Sequence, residues 1–200
     1  VASVQNAMEA EVKKDKYKLE LKENGKVVND AKGNPILAQG AVVVIEPSTG
    51  KVVGAVGQLR EKTTSRGLNR INSPRQTGSS IKPLSDVLPG IEEGIITPAT
   101  IYADTRTTFG TNWTPKNYNG YSSGVYRTVR SALTTSQNIP FVKIMAEVGN
   151  AKCMEYLKKL GFTTLDDKKD TGLSTAIGGL TNGVSVLEMA GAYSAIANNG

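Results

Sequence analysis

Arg75-Gln76-Thr77-Gly78-Ser79-Ser80-Ile81-Lys82-Pro83-Leu84 sets a serine and a lysine three residues apart at the point where an apolar stripe begins. Ile81, Leu84 and Leu88 recur at helical spacing, so a helix is expected to start near Ser79. Pro83 would fall in its first turn, where a missing N–H costs little. Three residues apart on a helix, Ser79 and Lys82 share a face and are expected within hydrogen-bond reach. Ser79 would also meet the unpaired N–H groups and positive dipole end of that helix, which favour a developing anion.

A serine hydroxyl is a poor nucleophile until a base takes its proton. The chain contains 200 residues and no histidine. That excludes a Ser-His-Asp triad, a Cys-His pair and ordinary zinc chemistry within it, and leaves lysine as the base. A free lysine titrates near ~10.4; to serve near neutrality its pKa must fall by roughly three units, which burial and dipoles supply at ~4 kcal/mol. Spacing alone does not establish this chemistry. Ser48-Thr49-Gly50-Lys51 repeats it in what reads as a hairpin turn. Taken alone, Ser79 reads as a helix N-cap.

Ser136-Gln137-Asn138 is the second candidate. A hydroxyl beside a desolvated lysine can relay a proton to a leaving group, and a side-chain amide can hold the lysine and a substrate carbonyl. Taken alone, Asn138 reads as the cap of the helix that follows Ile139-Pro140.

Around these motifs, Val4, Met8 and Val12 predict an amphipathic helix near 3–14. Asn24-Gly25 predicts a tight hairpin within a charged stretch. Ala41 to Ile45 and Lys51 to Gly57, joined by Glu46-Pro47-Ser48-Thr49-Gly50, predict an antiparallel hairpin of a central sheet. Residues 105–125, with Trp113, Tyr118 and Tyr121, read as a long irregular loop; those aromatics either line a cleft or pack the loop. Thr128 is placed to cap a short helix. Phe141, Ile144, Met145 and Val148 form a helix stripe closed by Gly149, and Cys153, Leu157 and Leu160 one closed by Gly161. Pro89-Gly90 is read as a helix end or kink, and Ser185-Val186-Leu187-Glu188 as a capping box. Asp170-Thr171-Gly172 is read as a solvated loop because Asp166-Asp167-Lys168-Lys169 precedes it.

Hydrophobic residues make up 38% and charged residues 21%, a balance normal for one globular domain. The net charge of +6 is scattered, with no aromatic-interleaved basic stretch, so no nucleic-acid partner is expected. Cys153 is the only cysteine; it permits no internal disulfide and reads as core. No apolar run is long enough to span a bilayer. The opening Val1-Ala2-Ser3-Val4 is expected to lie inside a longer polypeptide.

Taken together and in order, these segments resemble a known family. Arg75 to Leu84 is similar to the nucleophile segment of class A, bifunctional penicillin-binding proteins. Ser136-Gln137-Asn138-Ile139-Pro140 resembles their S-x-N motif, and Gly179 to Ala190 a further segment before a long helix. The hairpin over 41–57 resembles the opening of their transpeptidase domain. The resemblance implies an α+β fold of the serine β-lactamase/penicillin-binding-protein kind: an antiparallel sheet flanked by helices, plus a helical lobe, with the site between them. Residues 1–40 would be a linker remnant bearing the first helix and small hairpin, and 41–200 the N-terminal portion of the transpeptidase domain.

The resemblance further implies that Ser79 attacks the penultimate D-Ala of a peptidoglycan stem peptide ending in D-Ala-D-Ala. Lys82 would take its proton, Ser136 would pass a proton to the leaving amine, and Asn138 would orient Lys82 and the substrate. β-Lactams would acylate the same serine. No cofactor or metal is expected. The family's K-T-G motif is missing: Lys62-Thr63-Thr64 precedes Ser79, and Lys169-Asp170-Thr171-Gly172 has an extra residue. The chain is therefore expected to stop before the last sheet strands, with a second fragment carrying the K-T-G strand and a further segment anchoring the protein at the outer face of the bacterial cytoplasmic membrane. A full-length protein of this class would also carry a glycosyltransferase. The rivals are a β-lactam-sensing receptor domain and a β-lactamase-like hydrolase. A hydrolase of that kind needs a glutamate downstream of the S-x-N region; after Glu155 the only glutamate is Glu188, which is assigned to the capping box.

Overall fold

The computed structural model describes residues 2–60 and 67–199. Lys62-Thr63-Thr64 lies outside them. The chain divides into two compact units, one formed by 1–74 with 185–200 and the other by Arg75–Val184.

In the first unit, α1 (Ala2–Val12) turns Val4 and Met8 toward the sheet, with Val12 buried. β1 (Lys22–Glu23) and β2 (Lys26–Val27) form the small hairpin, whose turn residues Asn24 and Gly25 both have positive φ, 50° and 78°. That is the geometry Asn-Gly favours. β3 (Val42–Glu46) pairs antiparallel with β4 (Lys51–Val56), and the register shift between Val44 and Ile45 marks a bulge. α1 lies directly on β4. A Cβ at Gly54 would strike Met8 and Val4, so glycine permits the approach. Gln5 locks the contact, accepting from Ala55 N at 2.8 Å and donating to Ala55 O at 3.1 Å.

The second unit is mostly helical. It opens on a 3-10 turn, Gly78–Ile81, followed by a π-turn, Pro83–Val87, and α2 (Leu88–Glu92). The helix foreseen near Ser79 thus forms as three unlike turns. Pro83 and Pro89 each lack an N–H, so a regular i→i−4 ladder cannot run through both. Pro89-Gly90 does not end this helix; both lie buried within α2. β5 (Ile101–Ala103) and β6 (Tyr126–Thr128) pair antiparallel and bring together the ends of the long loop. α3 (Val129–Thr134) is capped by Thr128, whose hydroxyl accepts from Ser131 N at 3.2 Å. α4 (Ile139–Val148) and α5 (Asn150–Lys159) end at Gly149 and near Gly161, both with positive φ, as the stripes predict.

One core cluster joins Ile96, Tyr102, Val129, Ala132, Phe141 and Ile144. A second joins Val142, Met145, Cys153 and Ala176, with Phe109 and Trp113 packed against it. Burial pushes the Cys153 thiol up to about 12, which suits an inert core residue. Trp113 is therefore loop packing against the core, whereas Tyr118 and Tyr121 are exposed. Asp170 departs from the solvated-loop expectation. It is buried and accepts from Asp166 N at 2.9 Å, Thr181 N at 2.7 Å and Thr181 Oγ1 at 2.6 Å. The charges before it stay in water while the Asp170 carboxylate satisfies N–H groups of two segments. The unit closes on itself where Arg75 and Val184 exchange both backbone hydrogen bonds, each 2.9 Å.

The chain then returns to the first unit as α6 (Val186–Ala197), against β3. Its capping box is complete: Glu188 N donates to Ser185 Oγ at 3.2 Å, and Ser185 N to Glu188 Oε2 at 2.8 Å. Among the described residues no helix is long and apolar enough to cross a membrane.

Candidate active site

Gly78 enters the 3-10 turn with φ +53°, and Ser79 follows in an exposed position. The turn rests on the loop carrying Gly178, where φ is +90° and a Cβ would collide with the backbone of Gly78. Only glycine satisfies both conditions there. Ser79 does not cap the helix: the N-cap position is Thr77, and no side-chain cap bond forms.

Lys82 is fully buried. Its Nζ donates to Asn138 Oδ1 at 2.8 Å, Ser136 O at 2.9 Å, Gln137 O at 3.0 Å and Ser136 Oγ at 3.2 Å. The Phe141 ring lies 5.3 Å from the same nitrogen. Burial brings the Lys82 ammonium down from 10.5 to about 8, against the pull of Asp86 one turn on. Desolvation lowers it, while the surrounding acceptors keep the ammonium from being orphaned.

Ser136 owes its place to the end of α3. Gln137 N donates to Ala132 O at 2.9 Å and Ser136 N to Leu133 O at 3.0 Å, the paired bonds of a Schellman cap. The left-handed residue of such a cap is usually glycine. Here it is Ser136, with φ +51°. The cap aims two carbonyls and one hydroxyl at Lys82. Asn138 is the N-cap position of α4 yet makes no side-chain cap bond. Its amide instead spans Lys82 and Lys116 O, to which Nδ2 donates at 2.7 Å. The capping alternative for Asn138 is thereby removed.

The structure thus brings Lys82, Ser136 and Asn138 into one hydrogen-bonded group. Ser79 stands one turn before Lys82, but its hydroxyl makes no hydrogen bond to Nζ or to any other described residue. This differs from the reach expected of helical spacing, because Lys82 Nζ is turned toward the 136–138 segment. Two further buried polar residues adjoin this group. Asp86 is completely buried with Oδ1 unpartnered, and burial holds its carboxyl well above the usual range. A carboxylate four residues after Lys82 on an apolar helix face was the available clue. Asn117, buried in the long loop, accepts from Asn138 N at 2.8 Å; its only hint was an asparagine beside Pro115-Lys116.

The profile of the penicillin-binding protein transpeptidase domain matches residues 40–200. The chain belongs to the penicillin-binding protein transpeptidase family. It is 39% identical over 163 residues to penicillin-binding protein 1F of Bacillus subtilis, covering 82% of this chain and 22% of that protein. It is 34% identical over 170 residues to penicillin-binding protein 1A of Neisseria meningitidis, covering 82% and 20%. These are relatives of the class A kind that the sequence resembles. The chain spans about a fifth of the length of such relatives. Its fold matches a crystal structure of penicillin-binding protein 1A from Haemophilus influenzae with TM-score 0.68 and 25% identity, covering 84% of this chain and 25% of that one. It also matches the PonA1 protein of Mycobacterium tuberculosis, solved in complex with penicillin V, with TM-score 0.72 and 20% identity, covering 98% and 49%. The second likeness bears on the fold. The mixed architecture of short antiparallel pairs and helices is that of penicillin-binding transpeptidases.

Proposed function

We propose that this chain carries the acyl-transferring site of a peptidoglycan D,D-transpeptidase, with Ser79 as nucleophile and Lys82 as base. One observation carries the reading: the buried Lys82 amine, lowered to about 8 and held by Ser136 and Asn138 one turn from an exposed serine. When Lys82 loses its proton, its two remaining N–H donors can still be held by acceptors of the 136–138 segment, and the lone pair it gains can turn toward Ser79. It takes the Ser79 proton as Oγ bonds to the carbonyl carbon of the penultimate D-Ala. The Ser79 N–H faces the developing oxyanion. Collapse breaks the peptide bond, the terminal D-Ala leaves with a proton passed through Ser136, and an ester to Ser79 remains. The amine of a second stem peptide attacks that ester and restores the serine. A β-lactam opens on the same hydroxyl and stays attached as an ester.

Residues 1–40 serve as linker with a small hairpin, and 41–200 as the first portion of the transpeptidase domain. A K-T-G strand on a further segment or fragment completes the substrate-carboxylate site. The protein works at the outer face of the cytoplasmic membrane, held by an anchor outside this chain, and its full length also carries a glycosyltransferase. The commitment of Glu188 to its capping box favours transpeptidation over a lactamase-type hydrolysis.

Intact-mass analysis after mixing with benzylpenicillin tests the reading. A long-lived gain of one penicillin in the wild type, absent in Ser79→Ala, is expected. A folded wild type that gains no mass would overturn it.

A further inference from the structure

Asn138 stands at the start of α4, where an asparagine ordinarily spends its side chain on the helix's own N–H groups. Here it does not: the second residue of α4 is Pro140, which has no N–H to offer. Asn117 Oδ1 instead accepts from Asn138 N at 2.8 Å and Ile139 N at 3.4 Å, so the backbone at the start of α4 is held from another segment. The Asn138 amide bridges Lys82 and Lys116 O. Lys116 and Asn117 together hold both the backbone and the side chain of Asn138.

The direction of the Asn117 amide is itself fixed. Asp104, fully buried at the end of β5, accepts from Asn117 Nδ2 at 2.9 and 3.0 Å, and from Ser123 N at 3.0 Å and Oγ at 2.6 Å. Burial works against the Asp104 charge. The hydrogen bonds of Ser123 and Asn117, with the Arg127 charge, outweigh it and hold the carboxyl below its usual range. An ionised carboxylate only accepts, so the amide must turn its NH2 toward Asp104 and its oxygen toward α4. Nδ2 also donates to Tyr121 O at 2.9 Å, which ties the loop to the pair.

Resting on the proposed acyl-transfer reading, we infer that Asn117, oriented by Asp104, is a positioning residue that holds the backbone of Asn138 at the start of α4 and so keeps the Asn138 amide aligned on Lys82. It touches no reacting atom. Its loss leaves the N–H groups of Asn138 and Ile139 without their acceptor and lets the start of α4 shift, moving the Asn138 oxygen, the shortest acceptor of Lys82, out of place. Misplacing a catalytic contact by an ångström costs on the order of 100-fold in rate.

The test is the rate of acylation of the natural-length protein by benzylpenicillin, resolved into the encounter constant and the acylation rate constant. Asn117→Ala should slow acylation about 30- to 100-fold with the encounter constant within about twofold, while the protein still melts cooperatively. Asn117→Asp should be as slow, because it sets a second carboxylate against Asp104 and removes the donor. Combining Asn117→Asp with Asp104→Asn restores one donor and one acceptor in the reverse order, and should recover acylation to within about fivefold of wild type. A residue of merely structural importance would not be rescued in this way. If Asn117→Ala fails to fold, Asn117→Gln, which keeps the amide but misplaces it by one methylene, takes its place in the comparison. Wild-type acylation by the single variants, or an exchanged pair that folds but stays as slow as Asn117→Asp, overturns the inference. A wild type that is never acylated overturns the transpeptidase reading instead.

Discussion

Ser48-Thr49-Gly50-Lys51 and Ser79-Ser80-Ile81-Lys82 have the same spacing, and each turns the chain. In the first, the turn is spent locally. Gly50 N donates to Glu46 O at 2.9 Å, Thr49 Oγ1 to the Glu46 carboxylate at 2.5 Å, and Lys51 stands exposed opposite Glu46 in the β3–β4 ladder. Water solvates its ammonium. In the second, the lysine is sealed from water and depends on acceptors delivered by residues 136–138. Spacing sets two side chains on one face; a base is made by removing water and replacing only part of what the water supplied.

That contrast is most severely tested by removing each lysine. Lys82→Ala should slow acylation by benzylpenicillin about 1,000-fold, the middle of the range for a lost general base, while Lys51→Ala stays within about twofold. Equal losses would show that the hairpin pair matters and break the comparison.

A pH profile sharpens it. Because burial lowers Lys82 to about 8, the neutral base grows about tenfold per pH unit below that value and saturates above it. Acylation should rise accordingly between pH 6 and 8 and then level off. A rate flat over this range would mean that Lys82 does not act as the base.

The smallest expected effect separates folding from chemistry at Ser136. Its left-handed φ costs a non-glycine residue about 1 kcal/mol. Ser136→Gly should therefore raise the melting temperature by a few degrees while slowing acylation about tenfold. Lost stability together with unchanged acylation would show that the hydroxyl is retained for packing.

Features with a local period or a local pairing were readable in the sequence. The Asn24-Gly25 turn, the β3–β4 hairpin, the α4 stripe and the Ser185–Glu188 capping box all follow from residues within one turn or one pleat. Ser79, Lys82, Ser136 and Asn138 were legible because they fall in short motifs. What escaped was carried by contacts between distant segments. β5 and β6 are three residues each, too short to show alternation. Asp170 is buried by partners across its loop, which the charges beside it conceal. Asn117 lies among Gly, Tyr and Asn residues that look alike until one of them is seen to face α4. The three unlike turns after Gly78 answer to two prolines whose joint effect periodicity does not report.

The bond pair between Arg75 and Val184 closes a loop of chain around the candidate site. All four motif residues and both members of the Asn117–Asp104 pair lie between those two positions, in one uninterrupted stretch whose ends meet. A Cβ at Gly183 would fall onto the Arg75 backbone, so glycine keeps the two ends close. A segment that begins and ends at one point is continuous in sequence and closed in space, so every contact that holds Lys82 is made by residues of one stretch.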